Sequence, residues 1–357
     1  MDSYKNFLKK NTQILKDFKT EKNINIMEVC GTHTVAFFQT GVQDIFPNNV
    51  NLIDGPGCPV CVTPNGFLDR AIEISKKFGT TLTTFGDMVK VPASYSSLKK
   101  EKSLGRDIRT VYSPMDALDI AIDNPEKEVV FLSVGFETTT PGEAAVIKSA
   151  KEKNIKNFSM LVGNKLTPPA VDALLSSGEV NLDGFILPGH VSIITGAKTW
   201  EFISKKYKKP AVISGFNAKD LIMGTLFLLN LIKAGNIKIE NLYKEVVSNR
   251  GNILAKKMMD ELFLITDSKW RGIGEIPGSG LKLREEYRQF DASEKFPVDP
   301  PEEVENKECR CGEVLKGLIK PFECPLFGTV CTPSEPVGAC MVSFEGACSA
   351  YYKYYRS

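Results

Sequence analysis

Nine cysteines and two histidines carry most of this chain's capacity for redox and metal chemistry, and they are unevenly placed. Cys30, Cys58 and Cys61 lie near the start; Cys309, Cys311, Cys324, Cys331, Cys340 and Cys348 lie near the end. An odd number of grouped cysteines, in a chain with no export signal at its start, points to metal or redox chemistry over structural disulfides. Cys58 and Cys61 form a Cys-x-x-Cys just ahead of a predicted helix, where unpaired N–H groups and the helix dipole lower a thiol pKa. No second pair lies nearby to complete a zinc site, so an exchangeable dithiol is favoured. Cys30-Gly31-Thr32-His33 reads as a Cys–His dyad, a metal site, or a buried thiol beside a satisfied histidine. Three features argue against the last reading: the loop's place after a predicted strand, the neighbouring Gly31, and a reactive pair on the next strand. His190, after Pro188-Gly189, reads as structural on its own.

In the tail, Cys309-x14-Cys324-x6-Cys331-x16-Cys348 is one four-cysteine set, with Cys311 and Cys340 left over. The spacing fits neither paired zinc knuckles nor the tight ferredoxin run. Four soft thiolates without histidine suit zinc or a [4Fe–4S] cluster. A redox dithiol elsewhere in the chain tilts the choice toward iron–sulfur.

The elements that must position these residues repeat one phrase from about residue 24 to 235: short apolar run, glycine-containing loop, amphipathic helix. The runs INIMEV, VNLID, TTLTTF, EVVFLSV, FSMLVG, DGFILP and PAVISG are nearly continuous rather than alternating, as parallel strands covered on both faces are. The expected class is therefore α/β, with two parallel-sheet domains, 1–120 and 121–235, facing a cleft. Ligands in such sheets bind beyond the C-terminal strand ends, where every unusual loop here falls. GFETTTPGE, at residues 135–143, lacks the lysine of a P-loop and the spacing of a dinucleotide fingerprint; helix capping accounts for much of it, and no nucleotide is assigned. Thr167 is expected to cap the helix that follows it, with Pro168 in the first turn. Residues 240–265 predict one long helix, GIGEIPGSGLKLREEY a hairpin or loop and a helix, and FPVDPPEEVEN an extended connector. The last unit, 236–357, ends in a cysteine-rich stretch with little periodicity, whose folding is expected to depend on its own metal.

Composition sets the outer limits. Lys and Arg total 45 against 43 for Asp and Glu, a net charge of +2, which offers no electrostatic footprint for nucleic acid or an anionic membrane. The longest apolar stretch, 221–232, is too short to span a bilayer. The start is amphipathic and lacks a signal-peptide pattern, so a cytoplasmic protein is expected.

With those residues in hand, the sequence closely resembles the HypD family, the hydrogenase formation or maturation proteins, over essentially its whole length. The resemblance rests on CGTH at 30–33, GPGCPVC at 55–61, GFETTTP at 135–141, PGHVS at 188–192, and the tail from CRCGEVLKG to FEGACSAYYKY. It implies a scaffold that assembles the Fe(CN)2CO unit of [NiFe]-hydrogenase with a small partner, HypC, and takes its cyanide-derived ligand from the HypE–HypF system. It also implies residue roles. Cys30 would hold the iron jointly with a cysteine of HypC, with His33 beside it, and Cys58 and Cys61 would be the exchangeable dithiol. Cys309, Cys324, Cys331 and Cys348 would hold a [4Fe–4S] cluster that passes electrons toward the iron, and Glu345 would be required near the end. Two rival readings are a free-standing iron–sulfur thiol/disulfide oxidoreductase and a structural scaffold whose tail binds zinc.

Overall fold

A computed structural model describes residues 2–355. All seven apolar runs form strands: β1 (Ile24–Glu28), β2 (Val50–Asp54), β3 (Thr80–Thr84), β5 (Glu128–Ser133), β6 (Phe158–Val162), β7 (Gly184–Pro188) and β8 (Ala211–Ser214). Two three-residue strands join them, β4 (Ile108–Thr110) and β9 (Ile239–Asn241). Both are too short to announce themselves by periodicity. The strands make two all-parallel sheets, ordered β2-β1-β7-β8-β9 and β4-β3-β5-β6. Their central strands are buried on both faces, as in VVFL of β5 and FILP of β7, which is why they lack alternation.

The sheets do not divide the chain near residue 120. The first takes β1 and β2, gives up the chain for all four strands of the second, and recovers it at β7, where Ile26 pairs with Gly184. Continuous apolar runs mark a strand as buried but carry no information about which strand lies beside it. The expected 1–120 and 121–235 domains are therefore replaced by one sheet built from both ends of that region and a second sheet inserted into it.

Beyond residue 235 the long helix expected over 240–265 is cut to Ile253–Leu262, capped by Asn252, whose side chain accepts the Ala255 N–H at 3.1 Å. From Phe263 the chain turns to strand. β10 (Phe263–Trp270) and β11 (Gly274–Leu283) form an antiparallel hairpin, and Phe263, Leu281 and Leu283 extend the apolar core of the second sheet. Residues 297–306 are the extended connector the prolines imply, pinned where the Asn65 amide donates to the Val304 carbonyl and Val304 N–H to the Ser94 hydroxyl. Residues 309–354 build no layer of their own. Their short helices and turns pack in one apolar cluster with Cys58, Cys61, Phe136 and Trp270. The unit expected at 236–357 is thus split, its hairpin on the second sheet and its tail against the Cys-x-x-Cys loop. Among the described residues no helix is long and apolar enough to cross a membrane.

Candidate thiol and metal site

Cys30 lies two residues past the end of β1 and stands at the N-cap of the helix Gly31–Thr40. Its position depends on two glycines. A Cβ on Gly57 would lie 2.4 Å from the Cys30 nitrogen, and one on Gly31 would lie 2.5 Å from the Glu345 carbonyl oxygen. The loop after β2 and the chain's tail can therefore close on Cys30 from two sides only without side chains there. Gly31 N–H donates to the Gly57 carbonyl at 3.0 Å, and Cys30 N–H donates to Glu28 Oε2 at 2.7 Å. Thr34 donates its hydroxyl to the other Glu28 oxygen.

Glu28 is fully buried, and burial together with Asp54, its partner in register on β2, raises its pKa. The Cys30 thiol is pushed up to about 12, first by burial and then by Glu28, while the N–H groups of His33 and Thr32 pull weakly the other way. Without a cation Cys30 therefore keeps its proton. A bound metal deprotonates such a thiol and binds it as thiolate.

His33 is wholly buried, and its Nε2 lies 3.0 Å from the Gly215 carbonyl. Since a carbonyl only accepts, Nε2 carries the proton. Burial lowers the ring's pKa to about 4, so the imidazole is neutral and cannot serve as a cationic partner for Cys30. It packs on Phe216, with centroids 4.5 Å apart, and His190 stacks on the same ring at 4.0 Å. Glu345 accepts the Thr32 hydroxyl at 2.7 Å. Ser343 donates to Asp87 at 2.9 Å, just past the end of β3. The tail segment 339–346 thereby bridges the C-terminal strand ends of the two sheets, beside Cys30.

Cys58 N-caps the one-turn helix Pro59–Val62, and its sulfur accepts the Cys61 N–H at 3.4 Å. The expected lowering of thiol pKa does not hold for Cys61. It has no exposed surface, and desolvation drives its pKa well up against the small dipole of a single turn. The hairpin tip holds this helix in place, with Arg271 N–H donating to the Val62 carbonyl at 2.8 Å.

Cys61 lies 4.0 Å from the carbonyl of Ala339, the residue before Cys340, and its thiol feels that of Cys340. Cys340 in turn sits 2.7 Å, sulfur to sulfur, from Cys311. Cys309 neighbours Cys311, and Cys348 neighbours Cys340. The two cysteines left over by the spacing thus occupy the middle of a line of thiols running from the Cys-x-x-Cys to the tail. All six tail cysteines wall one narrow pocket with a cavity volume of only about 10 Å³, completed by apolar side chains such as Val314, Leu326 and Met341. Among the described residues no three His, Cys, Asp or Glu side chains converge as a mononuclear site requires. A cubane cluster takes one thiolate at each of four irons and needs its donors spread around a cavity instead. The donor set, four thiolates in an apolar pocket once Cys311 and Cys340 pair, fits that group.

Sequence reading missed Glu28 and Asp54 and left Cys311 and Cys340 without a role. A carboxylate inside a run assigned to a buried strand is the signal that would have found the first two.

The GFETTTP loop closes the end of β5 and is structural. Buried Glu137 accepts both the Thr167 N–H and its hydroxyl at 2.9 Å, so Leu166, not Thr167, is the N-cap of the next helix. Glu143 accepts from the Asn164 amide at 2.5 Å. Burial pushes both carboxyls from about 4.5 up to about 7. The folded chain therefore binds more protons than the unfolded one between those values, and this part of its stability is lost as pH rises through that window. Relative to Glu143→Gln, wild type should lose on the order of 2 kcal/mol between about pH 5 and pH 8, read from urea unfolding at each pH. A difference that stays constant with pH would show that Glu143 ionises normally.

A family model named HypD, described as "Hydrogenase formation hypA family", matches residues 5–355. The chain is 45% identical over 343 residues to hydrogenase maturation factor HypD2 of Bradyrhizobium diazoefficiens, covering 94% of this chain and 90% of that one. It is 42% identical to hydrogenase maturation factor HypD of Escherichia coli, covering 94% and 91%. It is 43% identical to a putative hydrogenase expression/formation protein of Methanocaldococcus jannaschii, covering 93% and 92%.

Proposed function

This chain belongs to the HypD family, and from that membership we propose that it is a hydrogenase maturation factor serving as scaffold and reductant for the Fe(CN)2CO unit. Cys30 holds the iron, as cargo, jointly with a cysteine of HypC, and the cyanide-derived ligands come from HypE with HypF. Glu28 fixes the Cys30 main chain, while Thr32 and Glu345 tie the tail across the same loop. Burial keeps water from the site, and a soft thiolate suits low-spin iron.

A [4Fe–4S] cluster on Cys309, Cys324, Cys331 and Cys348 supplies single electrons when bound. The remaining chemistry belongs to the thiols. With Cys58–Cys61 oxidised, the Cys340 thiolate attacks Cys61 and Cys58 leaves, taking a proton. Cys311 then attacks Cys340 and releases Cys61. One disulfide is exchanged for another, and the Cys58–Cys61 dithiol is restored beside Cys30. The observation that carries this reading is the contact sequence Cys311–Cys340–Cys61, which joins two cysteine groups far apart in the chain. A free-standing oxidoreductase is less well supported, because Cys58 and Cys61 are only 3% and 0% exposed and are closed to bulky disulfides.

The test is differential alkylation with mass spectrometry on oxidised protein after a one-electron reductant is added. Cys58–Cys61 should be found linked, then free. Cys340→Ser should still form that disulfide but reduce it at least roughly tenfold more slowly, since the exchange partner is gone. If Cys58 and Cys61 stay alkylatable under every redox condition, or the variant is reduced at the wild-type rate, the relay is wrong.

A further inference from the structure

Beside the tail, on the side reached from the connector, lies a cavity of about 390 Å³ whose wall includes Arg271, Asn65, Glu305, Cys309 and Cys311. Arg271 is only 6% exposed. Its Nε donates to the Thr63 carbonyl at 2.7 Å and its Nη2 to the Pro92 carbonyl at 3.2 Å, and no carboxylate among the described residues pairs with it. A guanidinium buried without a counter-ion is costly unless something anionic meets it. Asn65, 4% exposed, donates its amide to the Val304 carbonyl, while its Oδ1 has no hydrogen-bond partner. Glu305 stands exposed at the rim and makes no ion pair with Arg271 among the described residues. The wall therefore presents a cation with no carboxylate partner, whose one anionic neighbour on the wall is the Cys309 sulfur when that is a thiolate, and two acceptors without a donor, next to Cys311 of the thiol line. A zwitterion answers both needs, its carboxylate on Arg271 and its ammonium against Asn65 and Glu305. The volume is that of a small-molecule site.

We propose that this cavity binds a low-molecular-weight thiol of amino-acid or short-peptide type, which reduces the Cys311–Cys340 pair. The step rests on the reading that these two cysteines form a reversible disulfide. The bound thiolate attacks Cys311 and Cys340 leaves, taking a proton. A second thiol of the same class attacks the ligand sulfur, releasing Cys311 as a thiol and a small disulfide as product. Two external thiols are oxidised and one protein disulfide is reduced.

The probes are glutathione, its diethyl ester, which keeps the thiol and loses the carboxylates, and S-methylglutathione, which keeps the charges and loses the thiol. All are used on the anaerobically isolated full-length protein after oxidation. Glutathione should reduce Cys311–Cys340 with saturation, at least roughly tenfold faster than the diester at equal concentration, as one charge-assisted hydrogen-bonded pair gives. Arg271→Gln should erase that preference. Because Arg271 also holds Thr63 and Pro92, the variant can misfold, and competition in wild type decides independently of it: S-methylglutathione should bind one per chain by calorimetry and slow reduction by glutathione. Equal rates for the two thiols without saturation, or no binding of S-methylglutathione, overturn the proposal. If no Cys311–Cys340 disulfide forms under any oxidant, the relay reading fails by itself. Binding of S-methylglutathione to wild type then still supports the cavity as a zwitterion site, and its absence rejects it.

Discussion

Cys324→Ala should purify without an iron–sulfur chromophore and with residues 309–354 no longer packed. Cys324 is 8% exposed, at the end of the turn Pro321–Glu323, and its neighbours in the fold are other cysteines and apolar side chains more than regular structure. If its cysteines hold the proposed cluster, a stretch with so few hydrogen-bonded layers would owe its order to that group, and losing one ligand would remove a share of the folding free energy. Anaerobic wild type should carry about four irons per chain and absorb broadly near 400 nm, and the variant should do neither. The same apolar cluster contains Cys58, Cys61 and Trp270, so the damage should reach the Cys-x-x-Cys helix. We expect the thermal midpoint to fall by roughly 5 °C or more, and amide exchange to accelerate across 309–354 first. Stoichiometric zinc after reconstitution with iron and sulfide, with the tail intact, would overturn the cluster assignment and leave a zinc scaffold.

How much of this was legible beforehand depends on the range of the interaction concerned. The seven buried strands and the Cys58–Cys61 turn are local, set by apolar runs and a helix start, and the sequence displays them openly. The interleaving of the sheets is not local. Ile26 meets Gly184, and nothing in either run specifies the other. The hairpin's first strand hid inside a helical pattern because LFLIT satisfies either period, and Asn252 as a cap decides where the helix begins. Cys311 and Cys340 looked surplus because spacing was read as if all ligands served one centre. Folding brings the pair to 2.7 Å and sets it against Cys61. The Cys61 thiol pKa ran opposite to expectation for a related reason: a helix dipole can be read from sequence, but the depth of burial that outweighs it cannot.

Cys30→Ala should be the cleaner lesion. The Cys30 side chain makes no capping hydrogen bond. Its loop is held through the main chain, by Cys30 N–H on Glu28 and Gly31 N–H on Gly57. Alanine preserves both contacts and changes little volume, so stability should stay within about 1 kcal/mol of wild type. Only the thiolate that the proposal assigns to the cargo iron is lost, while the pocket formed by the tail cysteines stays as it was. Loss of one site without the other is what two separate thiol centres require, and a single shared metal site would not allow it. The direct test is to purify wild type, Cys30→Ala and Cys324→Ala side by side without oxygen, in complex with HypC, and record iron content and infrared spectra in the cyanide and carbonyl region. Cys30→Ala should keep the cluster iron and lose the cyanide and carbonyl bands, while Cys324→Ala loses the cluster. Bands of wild-type intensity in Cys30→Ala would contradict the assignment of Cys30 as the iron ligand.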